Sequence, residues 1–227
     1  MLVLLLLVSV SDLRHQWLSG ELRGASGLTA VHEVLEVCFY VLLVTLLLVR
    51  RPSQAASGSR RASWAAYIGT FTPFLLLLTG DPVATGAPLT AVSVVLMTLG
   101  LAFSVYSLAY LGRSFGVVPK ARKLVRSGPY RFVRHPLYVG EFITFAGVVI
   151  AVLNPYTALV FAFSVLVQTY RAAQEERVLK EAFPEYESYM TQAGRFTPRV
   201  TTSVRAPRPP RSRTPIAAAR GARRGTA

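Results

Sequence analysis

Cysteine, histidine and carboxylates are scarce in this chain. The only cysteine among its 227 residues is Cys38, which excludes an intramolecular disulfide. The three histidines, His15, His32 and His135, are scattered, with no cysteine or carboxylate spacing typical of a metal site, so we predict no bound metal. The sequence also lacks alternating strand and helix patterns with a Gly-rich turn, which argues against a soluble α/β domain.

Charged residues make up only 16% of the chain and hydrophobic residues 52%, which is far from the composition of a soluble domain. The pattern predicts an all-α, polytopic helical membrane protein with about five transmembrane helices. The apolar run that begins at Met1 is closed early by Asp12, and we leave it unassigned. The predicted spans are Val31–Val49, Trp64–Thr79, Pro88–Leu111, Leu137–Leu153 and Pro155–Tyr170.

The net charge of +14 follows the order of these spans. Segments 50–63, 112–135 and 171–227 hold 23 of the 25 lysines and arginines, whereas the links 80–87 and Asn154 hold none. Because basic loops stay in the cytoplasm, the long loop and the C-terminus are predicted to be cytoplasmic. Most of the positive charge is thereby explained by topology, which argues against nucleic acid as the main partner.

Composition divides the chain into three parts. Residues 1–111 hold the N-terminal transmembrane helices, and 112–199 hold a cytoplasmic loop, a helical hairpin and an acidic helix. Residues 200–227 are rich in Arg, Pro, Ala and Gly, and we expect them to be disordered. Their arginines are suited to anionic membrane lipids.

Two polar clusters stand out from the apolar background. Arg134, His135, Tyr138 and Glu141 lie at the start of the fourth span, where ionisable residues are costly and usually functional. The second cluster, 171–176, follows the hairpin and therefore returns to the same membrane face. Such convergence of helix ends is typical of a pocket.

Simpler interpretations exist for single residues. Arg171 and Glu175 are four apart, so an intrahelical ion pair would account for both. Glu33 and Glu36, at the start of the first span, would complement the dipole of its helix.

The order of the motifs is specific. The sequence contains GPY (128–130), RHP-x-Y-x-G (134–140), NP (154–155), R-x-x-x-E-E-x-x-L (171–179) and Y-x-x-Y (186–189). This series resembles the isoprenylcysteine carboxyl methyltransferases and the related bacterial phospholipid N-methyltransferases. The resemblance covers about 112–198 and implies a helical membrane enzyme that transfers a methyl group from S-adenosyl-L-methionine to a membrane-associated lipophilic acceptor.

The resemblance also implies roles for individual residues. Leu124 and Val125 would contact the cofactor through their backbone. Glu175 would hold the cofactor, with support from Glu176. The other residues expected to line the cofactor pocket are Tyr130, His135, Pro136 and Tyr138.

Arg171 falls where the family places a substrate-facing arginine, and its planar fork suits a carboxylate or phosphate. We therefore expect Arg171 to be catalytic and to contact the substrate, together with Arg134 and Glu141. His135 is expected to act as a base or as a cofactor ligand. Arg122 and Lys123 stand where the carboxyl methyltransferases have a cofactor-contacting histidine, which argues against carrying over the prenylcysteine substrate.

Two other classes remain as alternatives. Membrane sterol reductases share an Arg-His-Pro-x-Tyr segment and bind NADPH, but they favour Asn where this chain has Leu137. A non-enzymatic membrane scaffold or transporter would bind neither cofactor. The sequence leaves open the oligomeric state and whether the acceptor is a carboxylate, an amine or a thiol.

Overall fold

The structure is a computed structural model that describes residues 2–19, 27–49, 51–53, 55–56, 60–72, 75, 87–118 and 120–199. The predicted disordered tail, 200–227, lies outside these residues. Among the described residues the architecture is almost entirely helical. The helices are α1 (Leu2–Ser19), α2 (Gly27–Leu48), α3 (Arg60–Phe71), α4 (Ala87–Leu111), α5 (Pro136–Val152), α6 (Pro155–Ala182) and α7 (Tyr186–Gln192).

Four of the five predicted spans begin within a few residues of the first residues of α2, α4, α5 and α6. The remaining one, Trp64–Thr79, corresponds to α3 only as far as Phe71, and most of its second half lies outside the described residues. Two described helices are long and apolar enough to cross a bilayer, with windows at Val31–Leu48 and Pro88–Ser114. The shorter Pro136–Val152 is also apolar. The count of five spans therefore stays a prediction.

The expected dipole role of Glu33 and Glu36 is wrong. Helix α2 begins at Gly27, and its first turn contains no acidic residue. Both carboxylates therefore lie inside the helix, beyond the range in which the terminal dipole acts. Glu36 instead accepts a hydrogen bond at 3.2 Å from the hydroxyl of Ser9 on α1, which packs against α2.

Small residues bring α4 and α5 into close contact along their length. A Cβ added at Gly100 would lie 2.5 Å from the backbone nitrogen of Thr144 and 2.7 Å from the carbonyl oxygen of Gly140. Gly147 approaches Met97 in the same way, with an added Cβ 2.7 Å from its Cγ. Such small-residue contacts allow membrane helices to pack without a hydrophobic driving force.

A tight hairpin joins α5 to α6. Leu153 ends α5 in a left-handed conformation with φ 44°, and its N–H bonds to the carbonyl of Val149. The side chain of Asn154 then caps α6 by accepting from the backbone nitrogen of Tyr156 at 2.8 Å. Helix α6 runs for 28 residues and carries the chain from the hairpin into the polar cluster at 171–176.

Short backbone pairings fix the polar end of the bundle. The two-residue strands β1 (Ala55–Ala56) and β2 (Lys120–Ala121) pair antiparallel. After α7 the chain returns to the segment before α5, where the N–H of Arg134 bonds to the carbonyl of Gly194 at 2.8 Å. The N–H of His135 bonds to the carbonyl of Arg195 at 3.1 Å. The start of α5 is thereby tied to residues some sixty positions later.

We expect Gly100→Val to destabilise the fold, because the added Cβ and its two methyl groups would meet the α5 backbone. Overpacking of this kind costs about 1–3 kcal/mol. Leu99→Val is the matched control, since Leu99 is 60% exposed on the adjacent position of α4. Thermal unfolding in detergent should show a lower midpoint for Gly100→Val alone, and equal midpoints for both variants would contradict the packing described.

Candidate active site

A cavity of about 550 Å³ opens at the polar end of the bundle and extends between α2, α4 and α5. Its polar end is lined by Leu124, Val125 and Tyr130 of the long loop and by Tyr186 and Tyr189 of α7. The opposite end is mainly apolar and includes Met97, Leu101, Phe145 and Val148. His135, Tyr138, Glu141, Gln168, Arg171 and Glu175 lie on the wall between these two ends.

Glu176 holds three segments together behind this wall. Its Oε1 accepts from Arg134 Nε at 3.0 Å and lies 3.2 Å from His135 Nε2. Arg195 reaches both oxygens, with Nε 3.0 Å from Oε1 and an NH2 contact of 2.7 Å to Oε2. The side chain of Glu176 is only 4% exposed. Burial alone would raise its pKa, but the hydrogen bonds from His135 and Arg195 outweigh burial and hold the pKa of Glu176 well below its usual range.

Glu175 lines the cavity. Its carboxylate contacts two aromatic side chains, that of Tyr138 on α5 and that of His135 just before α5. Its Oε1 accepts from the hydroxyl of Tyr138 at 2.5 Å, and its Oε2 lies 3.6 Å from His135 Nδ1. The His135 and Tyr138 rings are stacked, with centroids 5.5 Å apart. With 24% of its side chain exposed, Glu175 retains access to a ligand.

Arg171 is buried beside this carboxylate and is held by neutral acceptors. It donates to Gln168 Oε1 at 2.7 Å and to the Val117 carbonyl at 3.2 Å. Its guanidinium carbon lies 5.3 Å from the centre of the Tyr138 ring. Its Nε is buried without a hydrogen-bond partner. Among the ion pairs of the described residues none joins Arg171 to Glu175, so the simple intrahelical pair is not formed.

Gln168 links Arg171 to Glu141. Its Nε2 donates to Glu141 Oε2 at 2.5 Å, while its Oε1 accepts from Arg171. Only 2% of Gln168 is exposed, so both bonds are sheltered from solvent. The chain Glu141–Gln168–Arg171 thus connects α5 and α6 across the cavity wall and fixes the position of the guanidinium.

The structure brings together most of the residues predicted from the motifs. Leu124, Val125, Tyr130, His135, Tyr138, Glu141, Arg171 and Glu175 line one cavity, and Glu176 braces it from behind. Pro136 is buried at the first position of α5 and is not among the lining residues. Arg134 reaches the cavity, but its donors bond to Glu176 and to the carbonyls of Met190 and Ala193.

Three residues of the site escaped the sequence analysis. Gln168 was given no role in the sequence analysis, although it precedes Arg171 by three positions on one helix face. Arg195 was counted only as part of the basic C-terminal segment. Gly69 gave no signal, yet a Cβ added there would lie 2.7 Å from Arg171 Cδ, so this glycine of α3 leaves space for the arginine.

The tyrosines of the Y-x-x-Y motif close the polar end of the cavity. The Tyr189 hydroxyl donates to the carbonyl of Tyr130 at 2.5 Å. The hydroxyl of Tyr186 is buried without a partner. Burial raises the pKa of Tyr189 to about 12 and keeps the pKa of Tyr186 above its ordinary value, so both phenols remain neutral hydrogen-bond donors.

Comparisons with known proteins agree with the motifs. Residues 83–186 match the phospholipid methyltransferase family. The protein-S-isoprenylcysteine O-methyltransferase of Saccharomyces cerevisiae is 33% identical over 113 residues, which cover 46% of this chain and 47% of that protein. The structure of the eukaryotic intramembrane Ras methyltransferase, isoprenylcysteine carboxyl methyltransferase, shares the fold with a TM-score of 0.50 and 22% identity, over 77% of this chain and 68% of that one.

Two further relatives have names that refer to metals. The cobalt-zinc-cadmium resistance protein CzcN of Cupriavidus metallidurans is 36% identical over 126 residues, covering 49% of this chain and 53% of that protein. The nickel-cobalt-cadmium resistance protein NccN of Alcaligenes xylosoxydans xylosoxydans is 29% identical, covering 49% and 54%. The chain spans about half the length of these curated relatives. The described residues contain no group of three His, Cys, Asp or Glu able to hold a metal ion.

The described residues thus combine a mostly helical fold with a segment, 83–186, that matches a methyltransferase family. The resemblance to isoprenylcysteine carboxyl methyltransferases and phospholipid methyltransferases, which was inferred from the sequence, is thereby confirmed. These findings do not favour the reductase or the scaffold.

Replacing Glu176 by Gln should destabilise the protein, because an amide donor would face the donors of Arg134, His135 and Arg195. Breaking a buried pair costs about 3 kcal/mol or more. Glu181→Gln is the matched control, since Glu181 is exposed on the same helix. The midpoint of thermal unfolding at neutral pH should fall for Glu176→Gln only.

A comparison of wild type with Glu176→Gln at different pH values tests the same interaction. Because the pKa of folded Glu176 is lowered, its stabilisation is present in full above the ordinary carboxyl value of 4.5 and is lost as the pH falls through the folded value. The difference in unfolding midpoint between wild type and Glu176→Gln should therefore stay constant above that value and shrink below it. A difference that grew in acid would rule out this role.

Proposed function

We propose that the chain is an S-adenosyl-L-methionine-dependent methyltransferase that acts on a lipophilic, membrane-associated acceptor. The observation that carries the proposal is the buried Arg171, with its unpartnered Nε, beside the ligand-accessible carboxylate of Glu175 in one cavity. The family match and the structural likeness support it. The alternation of basic loops along the sequence supports a catalytic face in the cytoplasm.

The polar end of the cavity has the chemistry that such a cofactor requires. When bound, S-adenosyl-L-methionine supplies an electrophilic methyl group on a positively charged sulfur. A carboxylate suits the ammonium of its amino acid end, and aromatic faces suit the adenine and the sulfonium. Glu175 would provide the carboxylate, and Tyr130 and Tyr138 the aromatic faces. The orphaned hydroxyl of Tyr186 offers a further donor at the same end.

Arg171 would orient the acceptor. Its guanidinium is fixed by Gln168 and the Val117 carbonyl, so little freedom has to be lost when an anionic or polar group binds. A carboxylate acceptor would need no deprotonation, whereas an amine or a thiol would need a base. Arg171 is only 6% exposed, and this sheltered position would strengthen its attraction for an anion.

The geometry favours a positioning role for His135 over that of a free base. Its two nitrogens face Glu176 at 3.2 Å and Glu175 at 3.6 Å. Both neighbours are acceptors, so the ring is held between the two carboxylates and would keep Glu175 directed into the cavity. A role for Glu141 in contact with the acceptor is compatible with its place in the cavity wall. The directed donors of Arg134 favour a bracing role.

The cofactor half of the proposal is tested by calorimetric titration of the purified protein with S-adenosylhomocysteine and with NADPH. We expect saturable binding of S-adenosylhomocysteine and none of NADPH. Glu175→Gln should weaken binding about tenfold or more, because a charge-assisted bond is lost. Glu181→Gln is again the control. Binding of NADPH alone would replace this proposal by the reductase, and binding of neither would favour the scaffold.

The acceptor half is tested with labelled S-adenosyl-L-methionine and a total membrane lipid extract. Arg171→Lys keeps the charge but loses the planar fork, and transfer of label to the organic phase should fall about a hundredfold. Affinity for S-adenosylhomocysteine should stay near that of wild type. Arg177→Lys, at an exposed position of the same helix, should have no effect. Full activity of Arg171→Lys would remove Arg171 from the mechanism.

A further inference from the structure

The end of the cavity far from the loop contains a polar group that the proposed reaction does not use. His32, Glu36 and Tyr40 all line the cavity from α2. They are four residues apart and therefore lie on one face of this helix. The residues that share this part of the cavity are mainly apolar, among them Met97, Phe145 and Val148. A polar group in such surroundings costs free energy unless it is hydrogen-bonded.

The hydrogen bonds of this group are incomplete. The Nδ1 of His32 is buried and has no partner. Glu36 receives one bond, from Ser9 to its Oε1, and no other hydrogen bond of Glu36 is present among the described residues. Ser9 is 8% exposed and is not among the lining residues of the cavity, so this bond occupies one carboxylate oxygen without filling the cavity. These side chains can therefore bind a ligand that both accepts and donates hydrogen bonds.

The distance from Arg171 sets the length of that ligand. Leu43 belongs to the same apolar cluster as Leu137, which lies next to Tyr138 in the wall of the site. Leu43 therefore marks the level of the site along α2. Helix α2 rises about 16 Å between Leu43 and His32. A molecule that reaches from Arg171 to His32 must therefore be long and apolar in its middle.

We propose that His32, Glu36 and Tyr40 form a distal binding site for the acceptor of the proposed reaction. The acceptor is inferred to be an amphiphile with a polar group at each end of an apolar chain. One group is the methyl acceptor beside Arg171, and the other is a hydroxyl that donates to Glu36 and accepts from His32 and Tyr40. This inference rests on the proposed function for the role of the first group only.

The probes are ω-hydroxylaurate and laurate, whose extended chains have about the required length and differ only in the distal hydroxyl. Their affinities are measured by titration into the protein in nanodiscs with S-adenosylhomocysteine present. Wild type should prefer ω-hydroxylaurate by about tenfold, the value of one hydrogen bond to a charged group. Glu36→Leu and His32→Leu should abolish this preference and leave the affinity for laurate unchanged or higher.

Glu33→Leu is the matched control, because Glu33 is on α2 but is not among the lining residues of the cavity. It should retain the preference of wild type. Tyr40→Phe removes only a hydroxyl and should reduce the preference for ω-hydroxylaurate, so it tests the site even if the leucine variants fold poorly. Equal affinity of wild type for the two probes, binding of neither, or a preference that survives in all three site variants would overturn the distal site.

Failure of the distal site and failure of the proposed function give different results. Binding of S-adenosylhomocysteine and transfer of label to membrane lipids, without any preference for ω-hydroxylaurate, would overturn the distal site alone. A preference that depends on Glu36 and His32, without binding of S-adenosylhomocysteine, would overturn the methyltransferase proposal and keep the amphiphile site.

Discussion

The buried carboxylate of Glu176 is the interaction on which the rest of the site depends. The side chain of Glu176 is only 4% exposed, and the free energy of burying an unpaired charge there would be prohibitive. The hydrogen-bond donors of Arg134, His135 and Arg195 offset this cost. These donors come from the turn before α5 and from the segment after α7. The loop, the hairpin helices and the C-terminal segment are thereby fixed to one another, and the adjacent Glu175 is directed into the cavity.

The motifs predicted this part of the protein well, because each motif residue has a separate physical task. Gly128 adopts a φ of 59° in the turn that precedes Tyr130, and Asn154 caps α6. Glu175 and Glu176 point in different directions, since successive side chains on a helix are about 100° apart around its axis. One can therefore meet the arginines behind the wall while the other meets the cavity. The long apolar stretches of the sequence predicted the positions of α2, α4 and α5.

The remaining features depend on three-dimensional contacts that no local pattern encodes. Gln168 acquires its role only because Glu141 of another helix lies opposite to it. The space left by Gly69 is meaningful only beside Arg171, about a hundred residues later. The extent of α2 was also decisive, because a start at Gly27 moves Glu36 from a helix terminus to the wall of a cavity. Composition and spacing cannot distinguish these two locations.

Helix α6 is shared between two environments. Leu159 and Leu166, on its first half, are 70% and 69% exposed and face outward from the bundle, whereas Arg171 and Glu175, on its second half, belong to the cavity wall. The described helix is continuous from Pro155 to Ala182. A change in its tilt, of the kind by which membrane helices adapt to bilayer thickness, would therefore move Arg171 relative to α5. In the proposed membrane methyltransferase, the thickness of the surrounding bilayer would thus be a physical variable of the site around Arg171.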